Sequence, residues 1–273
     1  MSWRGRIVEG LHSAYGVANR LGVLDNPAVG DLFVRTYFAY KRLGDPFAAL
    51  AQQRPDLFRG GHILDVGANV GYTAAVFARA MDPGFKVFAF EPERKNFDRL
   101  LRTMRRLRLQ DQVEPVHAAV GAVEGTVDLW SNVRHHAGHR VLTHAFRLAR
   151  AHAGSETVTL LSLDRFAGDK GIGRALRFVK IDVEGYESAV CEGMTGVVRD
   201  NPGMAVAVEY APEPMRELGF APDALLEFFL AHGFAVHAID PHGNIEPFDH
   251  TRPARHLGAR GYVDLLCTRQ RVA

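Results

Sequence analysis

Short apolar runs alternate with stretches of helical periodicity along most of this 273-residue chain, beginning at Gly61. The runs at residues 62–66 and 86–90 predict β-strands, and apolar positions between them recur at the spacing of an α-helix over residues 72–81. Strands that alternate with helices are typical of a mainly parallel sheet with helices on both faces. The pattern therefore predicts an α/β domain over residues 61–273.

The remaining elements of this domain follow from the same periodicities. Further helices are predicted at 93–109, from 163, at 186–194 and at 222–231. Further strands are predicted at 113–120, 126–130, 157–161, 177–183, 204–209, 234–239 and 262–267. Two strands close the chain without a predicted helix between them, so we expect the sheet to end in an antiparallel pair.

The first 60 residues have helical spacing rather than alternating runs. Asn26-Pro27 and Asp45-Pro46 are typical helix starts within this segment. A segment this short favours an N-terminal helical cap over residues 1–60, packed on the main domain, rather than an independent domain.

Composition narrows the class of protein. The formal net charge is only +2, so the chain has no strong excess of basic residues. We therefore expect no nucleic-acid or membrane partner. The two cysteines form no Cys-x-x-Cys pair, which argues against a disulfide framework or a cysteine-based zinc site. The absence of a long apolar run predicts a cytoplasmic protein. Composition leaves a homo-oligomer open.

The most informative stretch follows the first predicted strand and reads Asp65-Val66-Gly67-Ala68-Asn69-Val70-Gly71-Tyr72-Thr73. A glycine-rich loop that opens a helix lets the backbone approach a ligand and directs free N–H groups at it. A dinucleotide fingerprint reads Gly-x-Gly-x-x-Gly, whereas this loop reads Asp-x-Gly-x-x-x-Gly. The acid before the first glycine suits a cationic ligand, such as the amino-acid end of S-adenosylmethionine.

A second acid stands at the end of the next strand, where Glu91-Pro92 follows the apolar residues 86–90. A carboxylate at the tip of this strand can accept hydrogen bonds from both hydroxyls of a ribose. The glycine loop and Glu91 together, in strand–loop–helix–strand order, predict a nucleoside-containing cofactor.

Three blocks of the chain together resemble the FkbM-type methyltransferases. These are residues 65–73, residues 91–93 with Asn96, and residues 180–187, and the resemblance runs with gaps from about Pro55 to Tyr210. The block Lys-Ile-Asp-Val-Glu-Gly-Tyr-Glu is its most specific part. The resemblance implies a Rossmann-like fold, with a seven-stranded sheet, and S-adenosylmethionine-dependent O-methylation of a hydroxyl on a sugar, a glycan or another small natural product.

The resemblance also implies roles for residues. In the family the loop holds the methionine part of the cofactor and the acid after the second strand holds the ribose. The residues expected to bind the cofactor are Asp65, Gly67, Ala68, Asn69, Gly71, Tyr72, Thr73, Glu91, Pro92, Asn96 and Asp182.

Charged residues at the end of the strand predicted at 177–183 are candidates for the chemistry. Period-two alternation would send Lys180, Asp182 and Glu184 to one side, and charges at the tip of a buried strand are costly unless paired or functional. Asp182 and Glu184 are therefore candidates for a general base or an acceptor anchor, with Lys180 tuning their charge. The alternative is a structural ion pair between Lys180 and one carboxylate.

Five of the thirteen histidines fall within residues 135–152. This stretch could be a lid over the acceptor, with His136 or His139 as general base and Arg140 binding an anionic or polar group of the acceptor. It could also contribute to a divalent-metal site with Asp182 or Glu184, or be a solvated loop. The spacing is not that of a known zinc motif, so no metal is predicted.

Three other functions compete with O-methyl transfer. The arginines of residues 99–108 could face RNA and favour an RNA methyltransferase, although no aromatic stacking platform interleaves them. A non-catalytic cofactor-binding scaffold is disfavoured by the intact loop and acid. A nicotinamide oxidoreductase is disfavoured by the spacing of the glycines.

Overall fold

The strands predicted from the apolar runs form one large sheet in the computed structural model, which describes residues 26–42, 44–130, 139–149, 155–257 and 261–269. In chain order the strands are β1 (His62–Val66), β2 (Val87–Phe90), β3 (Val113–Val116), β4 (Ala119–Val120), β5 (Gly125–Trp130), β6 (Arg140–Val141), β7 (Ser155–Leu161), β8 (Leu176–Ile181), β9 (Ala205–Tyr210), β10 (Ala235–Ile239), β11 (Ile245–Pro247) and β12 (Val263–Thr268).

The predicted helices are present, together with three short helices, His144–Ala149, Thr195–Asp200 and Pro212–Glu217, that were not predicted. In chain order the helices are α1 (Pro27–Lys41), α2 (Phe47–Gln53), α3 (Tyr72–Ala80), α4 (Arg94–Leu107), α5 (His144–Ala149), α6 (Leu163–Asp169), α7 (Glu187–Glu192), α8 (Thr195–Asp200), α9 (Pro212–Glu217) and α10 (Pro222–Ala231). Short 3₁₀ turns lie at Pro55–Leu57 and Pro253–Arg255. The α/β, Rossmann-like fold class is confirmed.

The order of strands in the large sheet is β11-β10-β12-β9-β8-β1-β2-β3. The five strands from β9 to β3 are parallel, and β12 inserts antiparallel between β9 and β10. The expected closing antiparallel pair is therefore present as β10 and β12. The sheet has eight strands rather than the expected seven, because β11 adds one short edge strand that has no apolar run of its own.

A second sheet of four strands, in the order β4-β7-β5-β6, was not predicted. The single strand expected at residues 113–120 is two strands, because the backbone turns where the Ala118 N–H donates to the Val116 carbonyl at 3.1 Å. β3 then ends in the large sheet, and β4 pairs with β7 in the small one. One apolar stretch of sequence thus contributes a strand to each of two sheets, and the periodicity of the sequence does not indicate this division.

Alternate residues of the central strands face two separate cores, as expected for parallel strands covered on both sides. Leu64, Val66 and Val179 join one core with residues of α6, α7, α8 and α10. Ile63 and Phe178 join the other core, with residues of α1 to α4. Helices therefore cover both faces of the sheet.

The N-terminal helices begin where the sequence predicts. The Asn26 side chain caps α1 by accepting a hydrogen bond from the Ala28 N–H at 3.0 Å, with Pro27 in the first turn. Asp45 accepts from the Phe47 N–H at 3.1 Å at the start of α2. Val34 and Leu50 pack into the same core as β1, so both helices rest on the sheet. The division of the chain at residue 60 stays a prediction.

A buried aromatic cluster joins Phe178 of β8 to Phe58, which precedes β1, and to Phe77 of α3. Phe178 is fully buried, and its ring centroid lies 4.6 Å from that of Phe58 and 5.4 Å from that of Phe77. We expect Phe178→Ala to lower the free energy of unfolding by about 3–5 kcal/mol because it leaves a cavity. Urea denaturation measures this.

The control for Phe178→Ala is Leu32→Ala, since Leu32 is 64% exposed on α1. Its free energy of unfolding should change by less than about 0.5 kcal/mol. A similar small change for Phe178→Ala would show that this aromatic cluster does not support the fold.

Candidate active site

The carboxyl ends of β1, β2, β8 and β9 open onto one cavity of about 610 Å³. In open α/β sheets ligands bind in the crevice at this edge. The α1 helix, the loop before β12 and the end of β9 complete its wall. Most of the candidate residues face this space.

The glycine loop after β1 makes close backbone approaches. Gly67 has a φ of 81°, and a Cβ at this position would lie 1.9 Å from the carbonyl oxygen of Asp182. Only glycine lets the loops after β1 and β8 come this close. Gly71 has a φ of 90°, and a Cβ there would lie 2.5 Å from Leu100 of α4, so Gly71 serves helix packing.

Glu91 is a buried carboxylate at the tip of β2 and is 5% exposed. One of its oxygens accepts a hydrogen bond from the Asn69 N–H at 2.9 Å, and the other accepts from the Glu93 N–H at 2.9 Å. Burial raises its pKa to about 8, and these backbone donors only partly oppose the effect. The two N–H groups fix the carboxylate in one orientation beside the glycine loop.

Lys180 lies between two acids at the end of β8. Its Nζ is 3.2 Å from Asp182 Oδ2 and 3.7 Å from Asp65 Oδ1, and it donates to the Gly67 carbonyl at 3.1 Å. Burial lowers the pKa of Lys180, but attraction to Asp182 and Asp65 outweighs it and the pKa lies above its ordinary value. The structural ion pair that the sequence left as an alternative is therefore present.

Asp65 and Asp182 differ in their surroundings. Asp65 is fully buried and accepts a hydrogen bond from the Thr73 hydroxyl at 2.7 Å, and burial raises its pKa. The side chain of Asp182 is 30% exposed. Burial raises the pKa of Asp182, but the positive charges of Lys180 and Lys41 together lower it by more than burial raises it. The net shift of the pKa is therefore downward. Asp182 is thus an anion at neutral pH.

The strand β8 ends at Ile181, two residues earlier than predicted, so Glu184 lies in a turn and not on the strand. Glu184 has a φ of 57°, and its turn is held by Glu187, which accepts from the N–H groups of Val183 at 3.0 Å and Gly185 at 3.1 Å. Burial and then Asp182 raise the pKa of Glu184 to about 8. Lys180, Asp182 and Glu184 all line the cavity without sharing one strand face.

A further carboxyl, Glu209 at the end of β9, completes this wall of the cavity. Burial raises its pKa well above the ordinary value, and the charges of Asp182 and Glu184 add to the shift. Asp264 pairs with Glu209 in the register of β9 and β12, and burial raises its pKa to about 7. The acids around Asp182 thus share one partly buried region.

The α1 helix supplies another part of the wall. Tyr37, Tyr40 and Lys41 line the cavity, and the Lys41 ammonium lies 3.1 Å from a carboxylate oxygen of the buried Asp45. The hydroxyl of Tyr72 also belongs to this region and is buried without a hydrogen-bond partner among the described residues. Burial raises the pKa of Tyr72 to about 12, so the hydroxyl is protonated.

The histidine-rich stretch is only partly described. His139 lines the cavity, and the exposed His144 begins α5. Arg140 does not line the cavity, and its guanidinium is paired with Glu217. His135, His136 and His152 lie outside the described residues, so the lid and the role of His136 stay predictions.

Most of the predicted residues meet at one place. The candidates that line the cavity are Gly67, Ala68, Asn69, Tyr72, Thr73, Glu91, Pro92, Asn96, His139, Lys180, Asp182 and Glu184. Asp65 lies beneath it and holds Thr73 and Lys180, while Gly71 packs against α4. Their roles toward a ligand stay predictions.

Sequence reasoning missed Tyr37, Lys41, Glu209 and Tyr262. Glu209 ends an apolar strand, so the reasoning applied to Asp182 would have found it. The other three come from the two ends of the chain, and nothing in their local sequence indicates a cavity. Within the described residues, no three or more His, Cys, Asp or Glu side chains are arranged to hold a metal ion. No helix in those same ranges is long and apolar enough to cross a bilayer.

The sheet order, the glycine loop and the acid at the tip of β2 define a Rossmann-like methyltransferase. Residues 65–236 match the sequence model of the family described as "Methyltransferase FkbM domain", which is more than half of the chain. The chain therefore belongs to the FkbM methyltransferase family.

One curated relative is Hexuronic acid methyltransferase AglP from Haloferax volcanii. It is 28% identical over 153 residues, which are 56% of this chain and 57% of the relative. The chain thus matches little more than half the length of that relative.

Two solved structures have the same fold. Methyltransferase FkbM from Methylobacillus flagellatus KT aligns at a TM-score of 0.50 and 15% identity, over 84% of this chain and 49% of that one. Cofactor-bound Rv0187 from MTB aligns at a TM-score of 0.50 and 13% identity, over 92% and 96%. At these identities the likeness concerns the fold alone.

The raised pKa of Glu91 predicts a pH-dependent contribution to stability. An unfolded glutamate loses its proton near pH ~4.3, whereas Glu91 in the folded protein keeps it to about pH 8. Between these values the folded state binds the extra proton, so the contribution of Glu91 to stability falls as pH rises. We expect the free energy of unfolding of Glu91→Gln to fall less than that of the wild type between pH 5 and 8.

Urea denaturation at a series of pH values tests this expectation. Glu227→Gln on α10 is the matched control, because Glu227 is exposed, and its profile should parallel that of the wild type. If the stability of Glu91→Gln fell as steeply with pH as that of the wild type, the raised pKa of Glu91 would be contradicted.

Proposed function

We propose that this methyltransferase uses S-adenosylmethionine to methylate a hydroxyl of a sugar or a related small natural product. The observation that carries the proposal is Glu91, a buried carboxyl group held by two backbone N–H groups beside the glycine loop. The oxygens of a carboxyl group held in this way can form hydrogen bonds with two neighbouring hydroxyls, as a ribose presents them.

The residues of the cavity fit that cofactor. Its sulfonium carries a positive charge, and the cavity wall holds the anionic Asp182 near Glu184 and Glu209. The loop from Gly67 to Asn69 brings backbone to the cavity surface, where it would hold the methionine part. Pro92 and Asn96 line the side next to Glu91, where the adenosine part would lie.

The acceptor side supports transfer to oxygen. When bound, S-adenosylmethionine supplies the methyl group, and the acceptor oxygen must lie in line with its S–C bond. The acceptor hydroxyl must also lose a proton, and a general base works best when its pKa is near the working pH. Glu184, with a pKa of about 8, suits this role better than Asp182, whose pKa Lys180 and Lys41 hold low.

We therefore assign Asp182 to anchoring and Glu184 to proton removal, with His139 as the other described candidate. Asp182 keeps its charge and one exposed edge, which lets it accept a hydrogen bond from the acceptor. Lys180 is 4% exposed and committed to two acids, so its proposed role is to hold Asp182 in place.

A sugar acceptor is supported by the kind of residues that line the cavity. Carboxyl groups line the same cavity as the aromatic side chains of Tyr37, Tyr40 and Tyr262. The curated relative is named as a methyltransferase of hexuronic acid, which is also a sugar.

The arginines of α4 give less support to an RNA acceptor than their number indicates. Arg99 is buried, donates to the Asn96 side chain at 3.3 Å and lies over the ring of Phe33. Arg106 donates to the carbonyl of Asp31 at 3.4 Å. Two of the arginines thus join α4 to α1 instead of facing outward.

Two substitutions separate cofactor binding from chemistry. Glu91→Ala should raise the dissociation constant of S-adenosylhomocysteine roughly 10-fold to 100-fold, because two hydrogen bonds to the ribose would be lost. Glu184→Gln should leave that constant nearly unchanged and lower methyl transfer by about 10²–10⁴-fold, since the general base is removed. Calorimetry measures binding, and transfer of labelled methyl to a panel of methyl glycosides measures turnover.

Glu227→Gln is the matched control and should behave as the wild type in both measurements. Full turnover in Glu184→Gln would show that Glu184 is not the general base and would leave His139 or another group as the candidate. Unchanged affinity in Glu91→Ala would contradict the proposed cofactor site.

A further inference from the structure

Lys41, the last residue of α1, brings an ammonium group with unused hydrogen-bond donors to the cavity. Its Nζ lies 3.1 Å from Asp45 Oδ2, and Asp45 is the only partner of this ammonium among the described residues. An ammonium group has three N–H donors. Two donors of Lys41 are therefore available to a ligand, and 30% of its side chain is exposed.

Lys180, which also lines the cavity, has no such donors. Its Nζ lies within 3.7 Å of Asp65 and Asp182 and donates to the Gly67 carbonyl, and only 4% of its side chain is exposed. Moving this ammonium toward a ligand would leave the fully buried Asp65 without its counter-charge, which is costly. Of these two lysines, Lys41 is the one that can bind a ligand.

The surroundings of Lys41 keep its ammonium charged. Burial lowers its pKa, but Tyr37, Asp45 and Asp182 raise it by more, and the pKa lies well above the ordinary value of a lysine. Lys41 is therefore a cation at neutral pH and suits an anionic oxygen of a ligand.

The fold places Lys41 beside the end of the glycine loop. Phe38, one turn earlier on α1, packs edge-on against Tyr72, with the ring centroids 5.2 Å apart. Tyr72 is the first residue of α3 and directly follows the glycine loop. The last turn of α1 thus lies next to the loop that the proposed function assigns to the methionine part of the cofactor.

Two further features at this place suit a carboxylate. The cap residue of α3 is Gly71, which has no side chain to accept from the N–H groups of the first turn, and the positive end of such a helix attracts an anion. The Tyr72 hydroxyl is buried beside the cavity without a hydrogen-bond partner among the described residues, although buried hydroxyls normally have one. A carboxylate here would accept hydrogen bonds from groups that are otherwise unused.

We propose that Lys41 binds the carboxylate of the amino-acid end of S-adenosylmethionine. This inference rests on the proposed function and deepens it, because it assigns a cofactor-binding residue to the N-terminal helix α1. The amino-acid end is a zwitterion, so its own ammonium balances the negative charge of Asp182 near Lys41. A carboxylate without a neighbouring ammonium, as on a uronate acceptor, would meet that charge unbalanced.

A matched pair of ligands tests the inference. The decarboxylated analogue of S-adenosylhomocysteine keeps the amine and lacks the carboxylate. Calorimetry measures the dissociation constants of both ligands for the wild type and for Lys41→Met, which keeps the length of the side chain and removes its charge. We expect the wild type to bind S-adenosylhomocysteine roughly 10-fold to 100-fold more tightly than the analogue, because the analogue lacks hydrogen bonds to a charged group.

Lys41→Met should raise the dissociation constant of S-adenosylhomocysteine by roughly tenfold or more and should not raise that of the analogue. The variant also removes the counter-charge of the buried Asp45. A site loosened for that reason would bind both ligands more weakly, so the comparison between ligands separates a lost contact from a lost fold.

Lys86→Met is the matched control. Lys86 precedes β2 at the edge of the sheet opposite the cavity, and its ammonium pairs with the Glu114 carboxylate at 3.4 Å. Both dissociation constants should therefore equal those of the wild type.

The outcomes separate the inference from the function on which it rests. An unchanged affinity of Lys41→Met for S-adenosylhomocysteine, or an equal loss for both ligands, would overturn the inference and leave the proposed function intact. An unchanged affinity together with a raised KM for methyl glucuronide would assign the ammonium to the acceptor, which also overturns it. Binding of neither ligand by the wild type would overturn the proposed cofactor itself.

Discussion

The position of Lys180 is the constraint on which the rest of the site depends. Its ammonium lies within 3.7 Å of acids that follow or belong to two neighbouring strands, β1 and β8, and also donates to the loop after β1. The contact of Gly67 with the Asp182 carbonyl brings the same two segments together at backbone level. One buried charge thus aligns the glycine loop with the residues proposed to carry the chemistry, since a buried ammonium requires its counter-charges close by.

The same arrangement divides the carboxyls into two kinds. Asp182, beside both lysines, has a lowered pKa, whereas Glu184 and Glu91 have a pKa raised to about 8 by burial. Groups with pKa values moved apart by their surroundings can take different roles in one reaction. In the proposed mechanism Asp182 stays charged and anchors the acceptor, Glu184 moves a proton, and Glu91 binds the cofactor.

Local sequence was enough to predict the alternation of strands and helices, the glycine loop and Glu91, because those features depend on near neighbours. It could not predict that residues 113–120 divide between two sheets, since that depends on which strand each half meets. It also missed Tyr37 and Lys41, because the fold brings α1 over the cavity from more than a hundred residues away from Asp182. The strand β8 was predicted too long. Charged residues go on alternating past Ile181, where the strand ends, into a turn that the Glu187 side chain holds.

Calorimetric titration of the wild-type protein with S-adenosylhomocysteine, compared with NAD under the same conditions, tests the proposed cofactor most directly. We expect micromolar binding of S-adenosylhomocysteine and no binding of NAD, because the spacing of the glycines in the loop after β1 differs from that of a dinucleotide fingerprint and the anionic Asp182 suits a sulfonium cofactor. Binding of NAD alone would contradict the assignment of the cofactor, and so would binding of neither compound by the folded protein.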